Sequence, residues 1–193
     1  MSMLNVRLKR YLLIVSEIFI IIITLFFSLF VILGGIGFII SSIIVEMRGG
    51  GLPYVPSLRK NVDLMIKLAE IKKGQRVIDL GSGDGRLVIG AAKAGAYAKG
   101  FELNPFLVWW SSFEIKRQGL QERATTLRKN FWYEDLREAD TVFLYGIKKI
   151  MPRLEKKLLN ELKTGASVIT LKSAFPHWLP KIKEDGVRVY ERS

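Results

Sequence analysis

The chain has 193 residues, a single histidine, no cysteine and a formal net charge of +12. The missing cysteines exclude disulfides, thiolate metal sites and cysteine nucleophiles, and a lone His177 nearly excludes His-based metal clusters and Ser-His-Asp triads. The basic balance favours anionic surroundings such as lipid headgroups, acidic substrates or nucleic acid.

Residues 1–11 form a basic flank carrying Arg7, Lys9 and Arg10. From Leu12 to Val45 the only charged residue is Glu17. As a helix this stretch would be roughly 51 Å long at ~1.5 Å per residue, against a hydrocarbon core of ~30 Å. It predicts one transmembrane helix over 12–45, with the excess emerging or absorbed by tilt. A secretory signal has a shorter apolar region and a small-residue cleavage site, whereas Glu46-Met47-Arg48 follows here. Gly34-Gly35 and Gly37 leave a break into a re-entrant hairpin open, with one span favoured. Basic residues on the two flanks, Arg7, Lys9 and Arg10 against Arg48, Arg59 and Lys60, nearly balance, so the positive-inside rule does not set the orientation. The cofactor inferred below does, placing the folded domain in the cytoplasm, or on the matrix side if the protein is mitochondrial.

Residues 46–56 read as a linker and lead-in, with Gly49-Gly50-Gly51 flexible by composition, and residues 57–193 as the folded domain. Three of the 30 basic residues and one of the 18 acids precede Glu46, which leaves the remainder a net charge of +10. A basic domain tethered beside a bilayer is attracted to anionic headgroups. Apolar residues at Leu58, Val62, Met65, Ile66 and Ala69 predict a helix over 57–70. A strand at 76–80, a helix at 85–93, a strand at 97–101 and a helix from Pro105 to Gln118 follow, the last stopped by Gly119. Strands at 124–127 and 141–145, a helix at 152–162, a strand at 167–171 and two short strands around Asp185-Gly186 complete the chain. Alternation of strands and helices predicts an α/β fold with a mainly parallel sheet, helices on both faces and ligand-binding loops along one sheet edge.

The run Asp79-Leu80-Gly81-Ser82-Gly83-Asp84-Gly85-Arg86 lies between the first strand and its helix, and Glu102 closes the next strand. Dinucleotide folds use Gly-x-Gly-x-x-Gly without an acid two positions earlier. Here an acid precedes the glycines and a second one follows at the next strand end, the pattern of an S-adenosylmethionine site. Gly81 and Gly83 let backbone N–H groups approach a carboxylate. Asp79 can bind an amino group, and Glu102 can accept both ribose hydroxyls. Asn130-Phe131 can hydrogen-bond and stack on adenine. Ser82, Asp84, Leu103 and Asn104 complete the candidate cofactor-binding set, and no metal ligand set is expected. Each residue also has a plainer role: Asp84 as a helix cap, Asn130 as a turn residue, Phe131 and Trp132 as core, and His177 as a surface or hydrogen-bonded side chain.

Pro53-Tyr-Val-Pro-Ser57, Asp79 to Arg86, Glu102-Leu-Asn-Pro105, Asn130-Phe-Trp132, Leu154-Glu-x-Lys-Leu158 and the segment from Phe175-Pro176 resemble one lysine methyltransferase family of the seven-β-strand methyltransferase superfamily. Its members include mitochondrial enzymes that modify the adenine nucleotide translocase and the ATP synthase c-subunit, and small archaeal protein lysine methyltransferases. The resemblance runs from about Leu52 to Arg192, and the mitochondrial members also carry a membrane segment before the domain. The chain departs from the family in its short end after Trp178. The resemblance implies a Rossmann-like seven-strand sheet and methyl transfer from S-adenosylmethionine to a lysine ε-amine, with a protein substrate and the lipid bilayer as partners. It also makes Tyr54 and Tyr145 the candidate catalytic residues, lining the lysine pocket. Nucleic-acid methyltransferases of base amino groups usually carry Asn/Asp-Pro-Pro-aromatic after the fourth strand. Phe143-Leu-Tyr-Gly146 stands there instead, which disfavours nucleic acid. A lipid or small-molecule methyltransferase is the other alternative.

Overall fold

The computed structural model describes residues 3–47 and 57–193, with side chains from residue 10 to 42 and from 57 onward. Tyr54, the Pro-Tyr-Val-Pro lead-in and Gly49 to Gly51 lie outside the described residues. The chain divides into two units, Met1–Ser41 and Ser42–Ser193.

The first unit belongs to helix α1 (Met3–Met47), 45 residues long. It starts earlier than the apolar run, because Arg7, Lys9 and Arg10 are good helix formers that prolong it. The helix passes through Gly34, Gly35 and Gly37 unbroken. Arg10–Ser42, 33 residues, is long and apolar enough to cross a membrane.

In the second unit α2 (Arg59–Leu68) precedes β1 (Arg76–Leu80), α3 (Arg86–Lys93), β2 (Tyr97–Glu102), α4 (Pro105–Arg117) and β3 (Ala124–Arg128). A single 3₁₀ turn (Phe131–Tyr133) leads to β4 (Thr141–Tyr145), α5 (Met151–Glu161), β5 (Ser167–Leu171), β6 (Ile182–Glu184) and β7 (Val187–Glu191). The α2 helix is shorter than its apolar spacing suggests, since Leu58 is extended and Glu70 turns left-handed. In the β6–β7 hairpin Asp185 and Gly186 have φ of 42° and 81°, the positive pair that a tight two-residue turn requires. Despite the short end after Trp178, both final strands form.

The seven strands lie in the order β3-β2-β1-β4-β5-β7-β6. The first five are parallel and β7 is antiparallel to its neighbours. Strand order reverses between β1 and β4, and in open parallel sheets the crevice beyond that point receives ligands. Alternate strand residues feed two cores: Val77, Ala98, Phe143 and Ile169 pack with α2, α3 and α4, while Ile78, Phe101, Val142 and Val168 pack with α5. Coverage of the second face is incomplete, because the β3–β4 connection holds only the 3₁₀ turn. There a cavity of about 560 Å³ opens along Ile78, Lys99, Phe101 and Thr125, toward the N-terminal ends of the strands.

Candidate cofactor site

The site is built where β1 gives way to the glycine turn. Asp79 pairs in register with Gly100 and Leu80 with Phe101. The pairing continues into the turn: the N–H groups of Gly81 and Ser82 both donate to the Phe101 carbonyl, at 2.9 and 3.0 Å. Gly81, Gly83 and Gly85 all have positive φ. Gly85 is the most constrained of them. Its φ is 81°, and a Cβ there would lie 2.0 Å from Ser111 Oγ on α4. Across the strand, a Cβ on Gly100 would lie 2.5 Å from Ser82 Oγ. These bare backbones let α3, α4 and β2 close around the turn. Ser82 Oγ itself is buried with no hydrogen-bond partner among the described residues.

Glu102 ties the turn to the next helix. Its Oε2 accepts the Gly83 N–H at 2.9 Å, and its Oε1 accepts those of Leu103 and Asn104 at 2.8 Å each. A carboxylate offers about four lone-pair directions, so one on Oε2 remains for an external donor. A grip on two ribose hydroxyls therefore requires sharing one of the backbone bonds. Asn104 caps α4, its Oδ1 accepting the Phe106 N–H at 3.0 Å. The loop after β3 reaches the same place, because the Lys129 N–H donates to the Glu102 carbonyl at 3.2 Å. Asn130 there caps the 3₁₀ turn by accepting the Trp132 N–H at 3.1 Å, and the Phe131 ring is buried in the α5-side core. Tyr145 stands one residue beyond Leu144, the partner of Leu80, and thus beside the start of the glycine turn. Lys172 Nζ is 5.6 Å from the centre of its ring.

The structure thus brings Asp79, Gly81 to Asp84, Glu102 to Asn104 and the Asn130 loop to one sheet edge, with Tyr145 at the next strand end. His177 belongs to the loop after β5. Its N–H donates to the buried Glu155 carboxylate at 3.2 and 3.3 Å while its ring is exposed. Gly100, Ser111 and the Phe101 carbonyl also shape the site. Gly100 was visible as a glycine inside a strand, a mark of close backbone approach. Ser111 carries no sequence signal, being one polar residue on a helix.

Charge decides which ligand these residues fit. Asp79 is buried, and desolvation, reinforced by Glu102 and Asp84, pushes its carboxyl up to about 8. Glu102 is also raised by burial, with its three backbone N–H donors opposing the shift. The nearby cation, Arg86, is bonded to Asp84 at 2.8 and 3.1 Å and to the Ser57 carbonyl. A cation brought beside Asp79 favours its ionised form, whereas a pyrophosphate finds only carboxyl oxygens there. A nucleoside bearing an ammonium and a sulfonium fits these carboxyls better than a dinucleotide does.

The family model for the ANTKMT methyltransferase domain matches residues 79–182. The chain belongs to this methyltransferase family. The lysine N-methyltransferase of the ATP synthase c-subunit from Rattus norvegicus is 43% identical over 129 residues, 67% of this chain and 59% of that protein. A protein-lysine N-methyltransferase of Saccharolobus islandicus (strain REY15A) is 36% identical over 140 residues, covering 70% of this chain and 87% of that one. A solved RNA methyltransferase from Salinibacter ruber, in complex with S-adenosyl-L-homocysteine, superposes with a TM-score of 0.66 at 30% identity, covering 72% of this chain and 92% of that chain. The chain spans less than two thirds of the length of the rat relative.

Proposed function

We propose that this chain is an S-adenosylmethionine-dependent methyltransferase acting on a lysine ε-amine of a membrane protein, anchored by α1 with its catalytic domain on the cytoplasmic or matrix side. The observation that carries the cofactor assignment is the three-carboxylate edge around the glycine turn, with Glu102 tied to the Gly83 N–H. Asp79 would hold the cofactor's ammonium, Glu102 a ribose hydroxyl, and the Asn130 loop the adenine edge. When bound, the sulfonium supplies an already activated methyl group, so the protein's task is alignment and desolvation.

The lysine acceptor rests on the relatives, which are protein lysine methyltransferases by name. A lysine ε-amine must be neutral to attack, against an ordinary pKa of about 10.4. An apolar, aromatic approach lowers that value by disfavouring the charge. Tyr145, and Tyr54 from the lead-in, are proposed to line it. An RNA substrate is the second reading, favoured by the net charge of +12 and the Salinibacter relative. Phe143-Leu-Tyr-Gly146 at the end of β4 lacks the Pro-Pro signature of base-amine enzymes.

Purified full-length chain, incubated with methyl-labelled S-adenosylmethionine and native membranes, should place label on protein lysine. Label confined to lipid or RNA refutes the acceptor. In parallel, Glu102→Ala should weaken cofactor binding at least about tenfold by calorimetry, roughly one lost charge-assisted hydrogen bond. An unchanged dissociation constant removes Glu102 from the site.

A further inference from the structure

Helix α4 has two apolar faces, and among the described residues the fold buries one. Leu107, Ser111 and Ile115 point into the domain. On the opposite side Trp109, Trp110 and Phe113 are 58%, 41% and 48% exposed. Their spacing places them on one stripe. Their rings touch as a unit: Trp109 and Phe113 stack at 6.2 Å, and Trp110 lies 6.2 and 6.1 Å from these two. Phe106 extends the stripe, 5.7 Å from Trp109. A helix exposed to water normally turns charged residues outward, and a contiguous aromatic stripe marks an interaction surface.

The chemistry of the stripe and its tether select the occupant. Indoles pair an apolar body with a polar N–H and settle at the headgroup level of bilayers. Lys116 and Arg117 close the last turn of the same helix, and the chain beyond the span is basic, which draws it to anionic lipid. If α1 crosses the bilayer, residues 48–56 permit a separation of at most about 30 Å, since an extended residue spans ~3.3–3.6 Å. Such a domain meets the bilayer surface continuously.

We infer that Trp109, Trp110 and Phe113 of α4 form a docking face that seats the domain on an anionic phospholipid bilayer. This inference rests on the membrane anchoring proposed above. Since α4 begins three residues after Glu102, the docked helix holds the cofactor edge close to the headgroup plane, where a lysine of a membrane protein would emerge.

The test uses full-length chain reconstituted into vesicles of phosphatidylcholine and phosphatidylglycerol brominated near the top of the acyl chains. Trp109→Phe/Trp110→Phe keeps the face apolar and leaves Trp132 and Trp178 as the emitters. Brominated lipid should quench about half of the wild-type fluorescence, as expected for indoles at the interface, and little of the variant's. Equal quenching of the two chains overturns the docking. So does a wild-type signal shielded from both bromine and aqueous iodide, which means that protein, either a second copy or another segment of the chain, covers the face. Flotation at alkaline pH separates the two ideas. A chain that floats without bromine quenching keeps its anchor and loses the docking face, whereas a chain released from the vesicles loses both.

Discussion

Asp79 shows how one buried carboxyl couples stability to binding. Its value in the folded domain, about 8, lies far above the ordinary 3.8. Between those values the folded chain holds a proton that the unfolded chain has released, so this group's contribution to stability is fully present below 3.8, declines as pH rises and is gone above about 8. Asp79→Asn removes the buried charge. At pH about 9 the ligand-free variant should be more stable than the wild type by about 1–3 kcal/mol, the penalty of an uncompensated buried polar group, and near pH 4 the two should melt together. Thermal unfolding at both pH values checks this, and a variant no more stable at high pH would show that Asp79 has a counter-charge. Binding should follow the opposite course. A cationic ligand prefers the carboxylate, so wild-type affinity for S-adenosylmethionine should fall as pH drops below about 8, by up to tenfold per unit. Asp79→Asn should bind weakly with no such slope. Calorimetric titrations across that range measure both. The acid at position 79 was legible from its place before the glycines. How firmly it holds its proton was not, because that also depends on Glu102 and Asp84 standing close to it in the folded domain.

At the scale of elements, the turn is held by the contact between α3 and α4. Gly85 caps α3 in a left-handed conformation, directly against Ser111 of α4, whose hydroxyl pairs with Thr126 of β3 at 2.7 Å. Gly85→Ala should cost 3 kcal/mol or more, combining about 1–3 kcal/mol of backbone strain with displacement of Ser111. Ser111→Gly alone should cost about 1–2 kcal/mol through the lost hydrogen bond and added backbone freedom. In the double variant the clash is relieved but the strain remains, so the two costs should combine to less than their sum by at least about 1 kcal/mol. Denaturant unfolding of the four chains gives that coupling, and strict additivity would show that Ser111 does not crowd the turn. Most elements were readable because local signals agree: β1 is an apolar run between Gly74 and Gly81, and α4 opens on Asn104-Pro105 and closes before Gly119. Phe131 was not readable in the same way. A conformation that turns an aromatic ring into the α5-side core cannot be told, from a tripeptide, from one that offers it to a base. The outward stripe of α4 escaped for a related reason: apolar residues all round a helix read as deeper burial, and nothing local marks one side as uncovered.

For the whole molecule the parallel order was implied by alternation and the terminal strand pair by Asp185-Gly186, whereas the antiparallel place of β7 beside β5 was not, because it depends on pairing between strands distant in sequence. The largest consequence of the layout is kinetic. If α1 is embedded, an acceptor in the same bilayer meets the site at the effective concentration set by a short tether, in the millimolar range. An acceptor in another vesicle is limited by its bulk concentration. The two situations can be compared in one tube: enzyme-bearing vesicles made from membranes with isotopically light lysine are mixed with enzyme-free vesicles made from heavy-lysine membranes. Methyl-lysine found by mass spectrometry should be predominantly light, by about 100-fold or more at micromolar bulk protein. Detergent, which merges the pools, should bring the ratio to one. Equal labelling before detergent would mean that the domain works free of its own membrane, and α1 would then need a role other than bringing enzyme and acceptor into one plane.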